Sequence, residues 1–572
     1  MGTHALAGIG TSGEHSANAF RDLHRHIERQ FPLVKCIQHY YVRIPFIDDS
    51  KLGITYKDCP MILPHEIVSI IFTHDYQLWE EIFGSAEQRI EYWNRSRHLS
   101  WMEQHPRKTF ITDNPHLAVP LRLHGDDAAA HKGLVGLLVQ IISMGSPLSC
   151  FMSSQLSVIP LIVLVLNKGV FDETLEGLYN VIKWSFDILD SGIWPSCDHL
   201  GNPFPEGSIR HVNGAERKSL QGGCKSYLTE FLGDWKFVKD ALRLQQHYNT
   251  RMICVNCPAT KDPGHANFAN FDDDAPHFDE ANRRDTAQYI AGFANHRVPV
   301  LAMILGFSTS MIMVDFMHSD LGPFIAGNTL LEFCEEERFG PSFGTWLQRL
   351  TFCLRKAWLK FKEWAKTEGI AHSQPCFTPA RLSVSSQHSW PELKAKCHNA
   401  NMVMRWLAAE VIGFGPPLSD RDRVRVSLLQ GWEVIYRTIT HAGEWLSPAE
   451  AQRLHTAGYV LVRSYKILAW SASRHNRARW QLKPKHHHIL EGIHHAKKTL
   501  RNPRAHWLFK HEDFVGRIAR LASKAHPTTC AKRALQLWAI KMALIRPRRS
   551  KGFAHRFSAK HGRKFRKLSF KR

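Results

Sequence analysis

Two stretches of this chain run apolar residues into carboxylates. Residues 117–127, LAVPLRLHGDD, alternate apolar and polar side chains and end on Asp126 and Asp127, and residues 227–234, YLTEFLGD, end on Asp234 after a Gly. Two carboxylates brought to one place repel unless a cation sits between them. Oxygen ligands that leave room for water suit Mg²⁺ or Mn²⁺, and two such ions about 4 Å apart serve in-line phosphodiester chemistry. Taken singly, either Asp could instead cap a turn or a helix.

For the acids to meet, the strands that carry them must lie side by side. After the first come two apolar runs of strand length, residues 133–142 (GLVGLLVQII) and 158–166 (VIPLIVLVL), joined by a Gly, Ser and Pro-rich link. Residues 172–189 have helical spacing, with Leu175, Leu178, Ile182, Phe186 and Leu189 on one stripe and Asp172 placed to cap the start. The strand ending at Asp234 follows, then a helix over 235–246 and a short strand over 251–255. This is the element order of a ribonuclease-H-like core, in which the fourth strand lies parallel to the first and sets Asp234 against Asp126. The fold expected is therefore α/β: a ribonuclease-H-like mixed sheet interrupted by a large all-helical insertion. A mostly helical region (1–114) precedes the first part of the core (115–322). The insertion (323–485), with Trp and Leu stripes such as WLQRLTFCLRKAWLKF, final helices that complete the core (486–545) and a basic disordered tail (546–572) follow.

The 572 residues, 44% hydrophobic, can bury a large core. Twelve scattered Cys with one close pair argue for a reducing compartment. No signal pattern opens the chain, its sixth residue, Leu6, does not fit a myristoylation site, and residues 158–166 are too short to cross a bilayer, so no membrane segment is expected. The formal net charge is +22, and residues 546–572 hold twelve Lys or Arg and no acid. This tail, with Arg546, Arg548, Arg549, Lys551, Arg563, Lys564, Arg566 and Lys567 interleaved with Phe553, Phe557, Phe565 and Phe570, can neutralise phosphates by counterion release and be read by nuclear import. DNA is the expected partner and the nucleus the expected location.

Three segments, in order, resemble the DDE transposase of CACTA-type (En/Spm-like) and related eukaryotic DNA transposons. LRLHGDDA is similar to that family's first-Asp motif, with Asp127 standing where the family has Gly. Residues 232–259, LGDWKFVKDALRLQQHYNTRMICVNCPA, resemble the second-Asp segment and its trailing Cys pair, here Cys254 and Cys257. Residues 314–333, VDFMHSDLGPFIAGNTLLEF, are similar to the family's Asp-x-Met-His segment. The resemblance covers about residues 115–335 and a patch near the C-terminus, where HEDFVGRIARLASKA after Trp507 looks like the Glu-led final helix. It implies a catalytic triad of Asp126, Asp234 and Glu512, with Glu491 and Glu410 as the next choices for the third acid, and an oligomer assembled on DNA ends.

Cys254 and Cys257 are half of a structural Zn²⁺ site. His318 with Asp315, or His265 and His277, would complete it; buried thiols without a metal are the alternative. The acidic loop FDDDAPHFDE, residues 271–280, lacks the Gly and final Glu of a calcium loop and reads as a solvated linker. His486, His487, His488, His494 and His495 read as surface residues of a basic helix. Two function classes follow: a transposase that cleaves DNA and transfers a 3′-hydroxyl, or a catalytically inactive transposon-derived protein that binds nucleic acid.

Overall fold

The computed structural model describes residues 25, 29, 32–48, 53–129, 138–149, 157–166, 169–293, 296–313, 321–414, 419–523, 525–526 and 529–545. Its centre is a seven-stranded mixed sheet. The strands are β1 (Tyr40–Asp48), β2 (Gly53–Met61), β3 (Ala118–Ala129), β4 (Leu138–Gly145), β5 (Ile159–Leu166), β6 (Lys225–Gly233) and β7 (Ile312–Met313), in spatial order β1-β2-β5-β4-β3-β6-β7. β3, β4 and β5 form an antiparallel meander, whereas β6 lies parallel to β3 and β7 parallel to β6.

Two elements differ from the sequence expectation. The N-terminal region contributes a hairpin as well as helices: in β1 the residues Tyr40, Val42, Ile44 and Phe46 turn inward and their neighbours outward, the period-2 pattern of a half-buried strand. β2 then joins β5 through Met61 and Ile162, so the hairpin extends the sheet. Residues 251–255 are not a strand. They lie in a loop closed by a bridge between Met252 and Thr260, and the edge beside β6 is taken by β7 instead.

The principal helices are α1 (Pro64–His74), α2 (Tyr76–Phe83), α3 (Ala86–Ser96), α4 (Asp172–Ser191), α5 (Trp235–Ala241), α6 (Gly322–Glu335), α7 (Trp346–Thr367), α8 (Cys397–Gly413), α9 (Asp420–His441), α10 (Pro448–Arg474), α11 (Lys485–Thr499), α12 (Phe509–Ala522) and α13 (Cys530–Ile545). α4 packs on β1 and β6, α12 on β3, and α13 on β5 and β2, so one apolar core joins residues between 34 and 312 to the last helices. Asp172 is the first residue of α4 rather than its cap, and α5 is a turn shorter than its spacing suggested. Helices α6 to α10 build a second core around Trp406, Trp432 and Trp480. Within it Arg425 is buried against Glu332 at 2.6 Å and Asp422 at 2.9 Å, an arrangement a buried guanidinium requires.

Candidate functional site

Each acid-bearing strand has a Gly immediately before its Asp, and the structure gives the reason. A Cβ on Gly125 would lie 2.0 Å from the Phe237 ring, and one on Gly233 would lie 2.6 Å from it. The two bare backbones admit Phe237, and with it the first turn of α5, against the ends of β3 and β6. Gly125→Ala is accordingly expected to destabilise the fold by about 1–3 kcal/mol, the usual cost of overpacking a filled core. Thermal unfolding checks this, and a parent-like midpoint would contradict the packing role.

Register does the rest. β3 and β6 pair Leu121 with Leu228 but Arg122 with Glu230, so β6 carries one extra residue, Thr229, before the pairing resumes and ends at Gly125 beside Gly233. One residue further, Asp126 and Asp234 stand next to each other. Without this bulge Asp127 would be the neighbour of Asp234.

Asp234 caps α5, its Oδ1 accepting from the Phe237 backbone N–H at 2.6 Å. The cap and the site role coexist, because one carboxylate oxygen is held by the helix while the other stays available. Asp126 Oδ1 accepts from the Asp127 N–H at 2.8 Å. Asp127 itself is engaged by Lys236 Nζ at 2.5 Å, an ion pair that draws its side chain toward α5. Glu512 lies in the first turn of α12. The preceding residue, His511, stacks on His124 of β3 at 4.4 Å between ring centroids, which seats the start of that helix over the acid-bearing strand.

Asp126 senses the carboxylates around it. Burial, then the charge of Asp234 and, less strongly, of Glu512 and Asp127 push Asp126 up to about 7, against the Asp127 N–H bond that lowers it. The other two Glu candidates lie elsewhere. Glu491 is clamped by Arg283 at 2.5 and 2.7 Å, and Glu410 accepts from Lys360 at 3.3 Å and Trp406 Nε1 at 3.1 Å. Arg546, Arg548, Arg549, Lys551, Arg563, Lys564, Arg566 and Lys567 fall outside the described residues.

A second cluster forms where the Cys loop meets α11. Cys254 Sγ, Cys257 Sγ, one ring nitrogen of His487 and a carboxylate oxygen of Glu491 all lie within 4.8 Å of one another. Cys257 Sγ is 3.3 Å from His487 Nε2, and burial followed by the neighbouring Cys254 raises the Cys257 thiol. The donor set, two thiols, an imidazole and a carboxylate, fits a metal ion. His318 and Asp315, expected to complete it, fall outside the described residues. His265 and His277 are not among these donors: His277 Nε2 sits 2.9 Å from the Asn270 carbonyl, and His265 bonds Asn270 through its own carbonyl.

The histidines of α11 also correct the expectation. His486, His487 and His488 are buried, at 1%, 0% and 5% exposure, because α11 packs on α10 and is covered by the loop after α5, with Phe271 beside His486, Phe278 beside His487 and Trp235 beside His488. His487 and Glu491, four residues apart on one helix face, were missed as a pair: the spacing suits two ligands of one metal, but only the fold brings it to the CxxC 230 residues earlier. The acidic loop is solvated only in part, since Phe271 is fully buried while Asp273 reaches Arg463 at 2.8 Å.

Among the described residues no helix is long and apolar enough to cross a membrane. Compared with known proteins, the chain matches no protein-family model and no curated protein.

Proposed function

We propose that this chain is a DDE-type DNA transposase, with a ribonuclease-H-like core that cleaves a DNA strand and joins the freed 3′-hydroxyl to target DNA. The observation that carries the reading is the bulged register of β3 and β6 that sets Asp126 beside Asp234, with Glu512 in the first turn of the helix packed on β3. Within the seven-stranded mixed sheet, the order β5-β4-β3-β6-β7, with β4 alone antiparallel to β3 and β6 parallel to it, is the order expected of a ribonuclease-H-like core and supports the same reading.

The residues divide the work. Asp126 offers carboxylate oxygens from the end of β3, Glu512 from the helix packed on that strand, and Asp234 the oxygen its helix cap leaves over. Bound there, Mg²⁺ or Mn²⁺ would supply activation of the attacking oxygen and neutralisation of charge at the leaving oxygen. Lys236, held by Asp127, keeps a positive charge beside the acids where a phosphodiester would approach. Cys254, Cys257, His487 and Glu491 would hold a structural Zn²⁺ that ties the loop after α5 to α11. Purified protein incubated with Mg²⁺ or Mn²⁺ and a plasmid carrying the DNA that flanks its coding region should nick that DNA and join the ends to a target. Binding without cleavage would favour the inactive nucleic-acid-binding protein.

The basic tail is the proposed backbone contact. Removing residues 546–572 is expected to weaken DNA binding on all sequences alike and to flatten the dependence of affinity on salt, by about 0.9 in log–log slope for each phosphate that the tail no longer neutralises. A slope unchanged by the truncation would assign phosphate binding to another surface.

A further inference from the structure

Behind the acids lies a charge pair that stability alone does not explain. Arg122 and Glu230 face each other across β3 and β6 with Nη2 2.7 Å from Oε2, and they are only 3% and 4% exposed. The contact is close but not an in-line hydrogen bond, since neither atom has a partner of that geometry. Two charges buried in a sheet core give up their hydration, and apolar residues of similar size often stabilise as well or better. What this pair holds is the segment that delivers the third acid. Arg122 Nη1 donates to the Ala505 carbonyl at 3.1 Å, and Glu230 Oε1 lies 3.5 Å from His506 Nε2.

Ala505 and His506 end a short helical turn, Pro503–His506, that leads directly into α12. Just before it, Asn502 Nδ2 donates to the carbonyls of Ile439 at 3.0 Å and Gly443 at 2.8 Å, so the segment is also fastened to the helical region. The Thr229 bulge that sets Asp126 beside Asp234 is the same irregularity that brings Glu230 opposite Arg122. One local feature thus aligns two acids and anchors the route of the third.

We propose that Arg122 and Glu230 are positioning residues for Glu512, fixing the Ala505–His506 turn to the two central strands so that the Glu512 carboxylate reaches Asp126 and Asp234. The inference rests on the metal-binding reading of those acids. Its test is Mn²⁺ binding to the full-length protein, followed by titration calorimetry together with thermal unfolding. The double variant Arg122→Met/Glu230→Met leaves no unpaired charge in the core. It should unfold within a few degrees of the parent, while its half-saturating Mn²⁺ concentration at the acids rises about 10- to 100-fold, the scale on which outer-shell partners act. A pair that merely supports the fold would move the unfolding temperature and leave Mn²⁺ binding unchanged, which overturns the proposal.

Asp126→Asn, measured alongside, separates the two ideas. If the parent's Mn²⁺ binding survives in that variant, the metal reading of the acids fails and the inference falls with it. If Asp126 is required but the double variant binds like the parent, only the positioning role is removed. Should the double variant fail to fold, Arg122→Lys retains the charge opposite Glu230 but lacks the second guanidinium donor for Ala505. It must then show the same weakening, and parent-like binding by it rejects the proposal.

Discussion

Asp126→Asn is expected to reduce metal-dependent DNA cleavage by on the order of 10²- to 10³-fold, the scale of losing a group that acts on transition-state charge, and yet to make the metal-free protein more stable at alkaline pH. Both effects have one origin. Folding raises Asp126 from the ordinary 3.8 to about 7, through burial and the neighbouring Asp234 and Glu512. Between about pH 4 and pH 7 the native state therefore holds a proton that the unfolded chain has released, so stability falls as pH rises through this window. Over about three pH units the loss is on the order of 2–4 kcal/mol. Asn carries no such penalty. The gain in melting temperature of the variant over the parent should therefore be larger at pH 8 than at pH 5, and Mn²⁺ should stabilise the parent at pH 8 but not the variant. An Asp126→Asn protein that still cuts DNA at the parental rate would end the case for these acids.

Cys257→Ser or His487→Ala is expected to remove one equivalent of bound zinc and to destabilise the fold by roughly 4 kcal/mol or more, the range in which loss of a metal stands out among single substitutions. The four donors come from the loop after α5 and from α11, segments also joined by the Arg283–Glu491 and Lys498–Glu280 ion pairs and by the small cluster of Phe271, Tyr459, Val462 and Leu490. Thiols must lose their protons to bind, so zinc uptake should release protons and strengthen with pH, the more so because burial and Cys254 hold the Cys257 thiol up. Elemental analysis of the purified chain and unfolding with and without a chelator check this. A metal-free protein as stable as the loaded one would make the cluster a set of buried thiols.

The acids were legible in the sequence because their signals are local: alternation into Gly-Asp marks a strand end, and β3 and β6 lie where residues 117–127 and 227–234 placed them. The hairpin of β1 and β2 was equally local, written in the alternation of YYVRIPFID and in its strand-favouring aromatic and β-branched residues, and should have been read as a strand. What the sequence could not carry was anything set by distant partners. The two-residue β7 is a strand only because β6 offers its edge, and the burial of the α11 histidines follows from what packs on both sides of that helix. His487 is drawn to Cys257 across 230 residues.

Arg122 meets Ala505 across 383 residues, and this separation has a consequence for the protein during its synthesis. As the chain leaves the ribosome, β3 and β6 can pair and place Asp126 beside Asp234 once residue 234 has emerged. Glu512 follows only after the helical region has been made and folded, because domains form largely in order of synthesis and long-range contacts close late. A nascent or truncated chain therefore carries two acids and no third. Whatever chemistry the proposed trio supports is withheld until Glu512 has been made and docked, so a product interrupted before that residue would lack the complete trio.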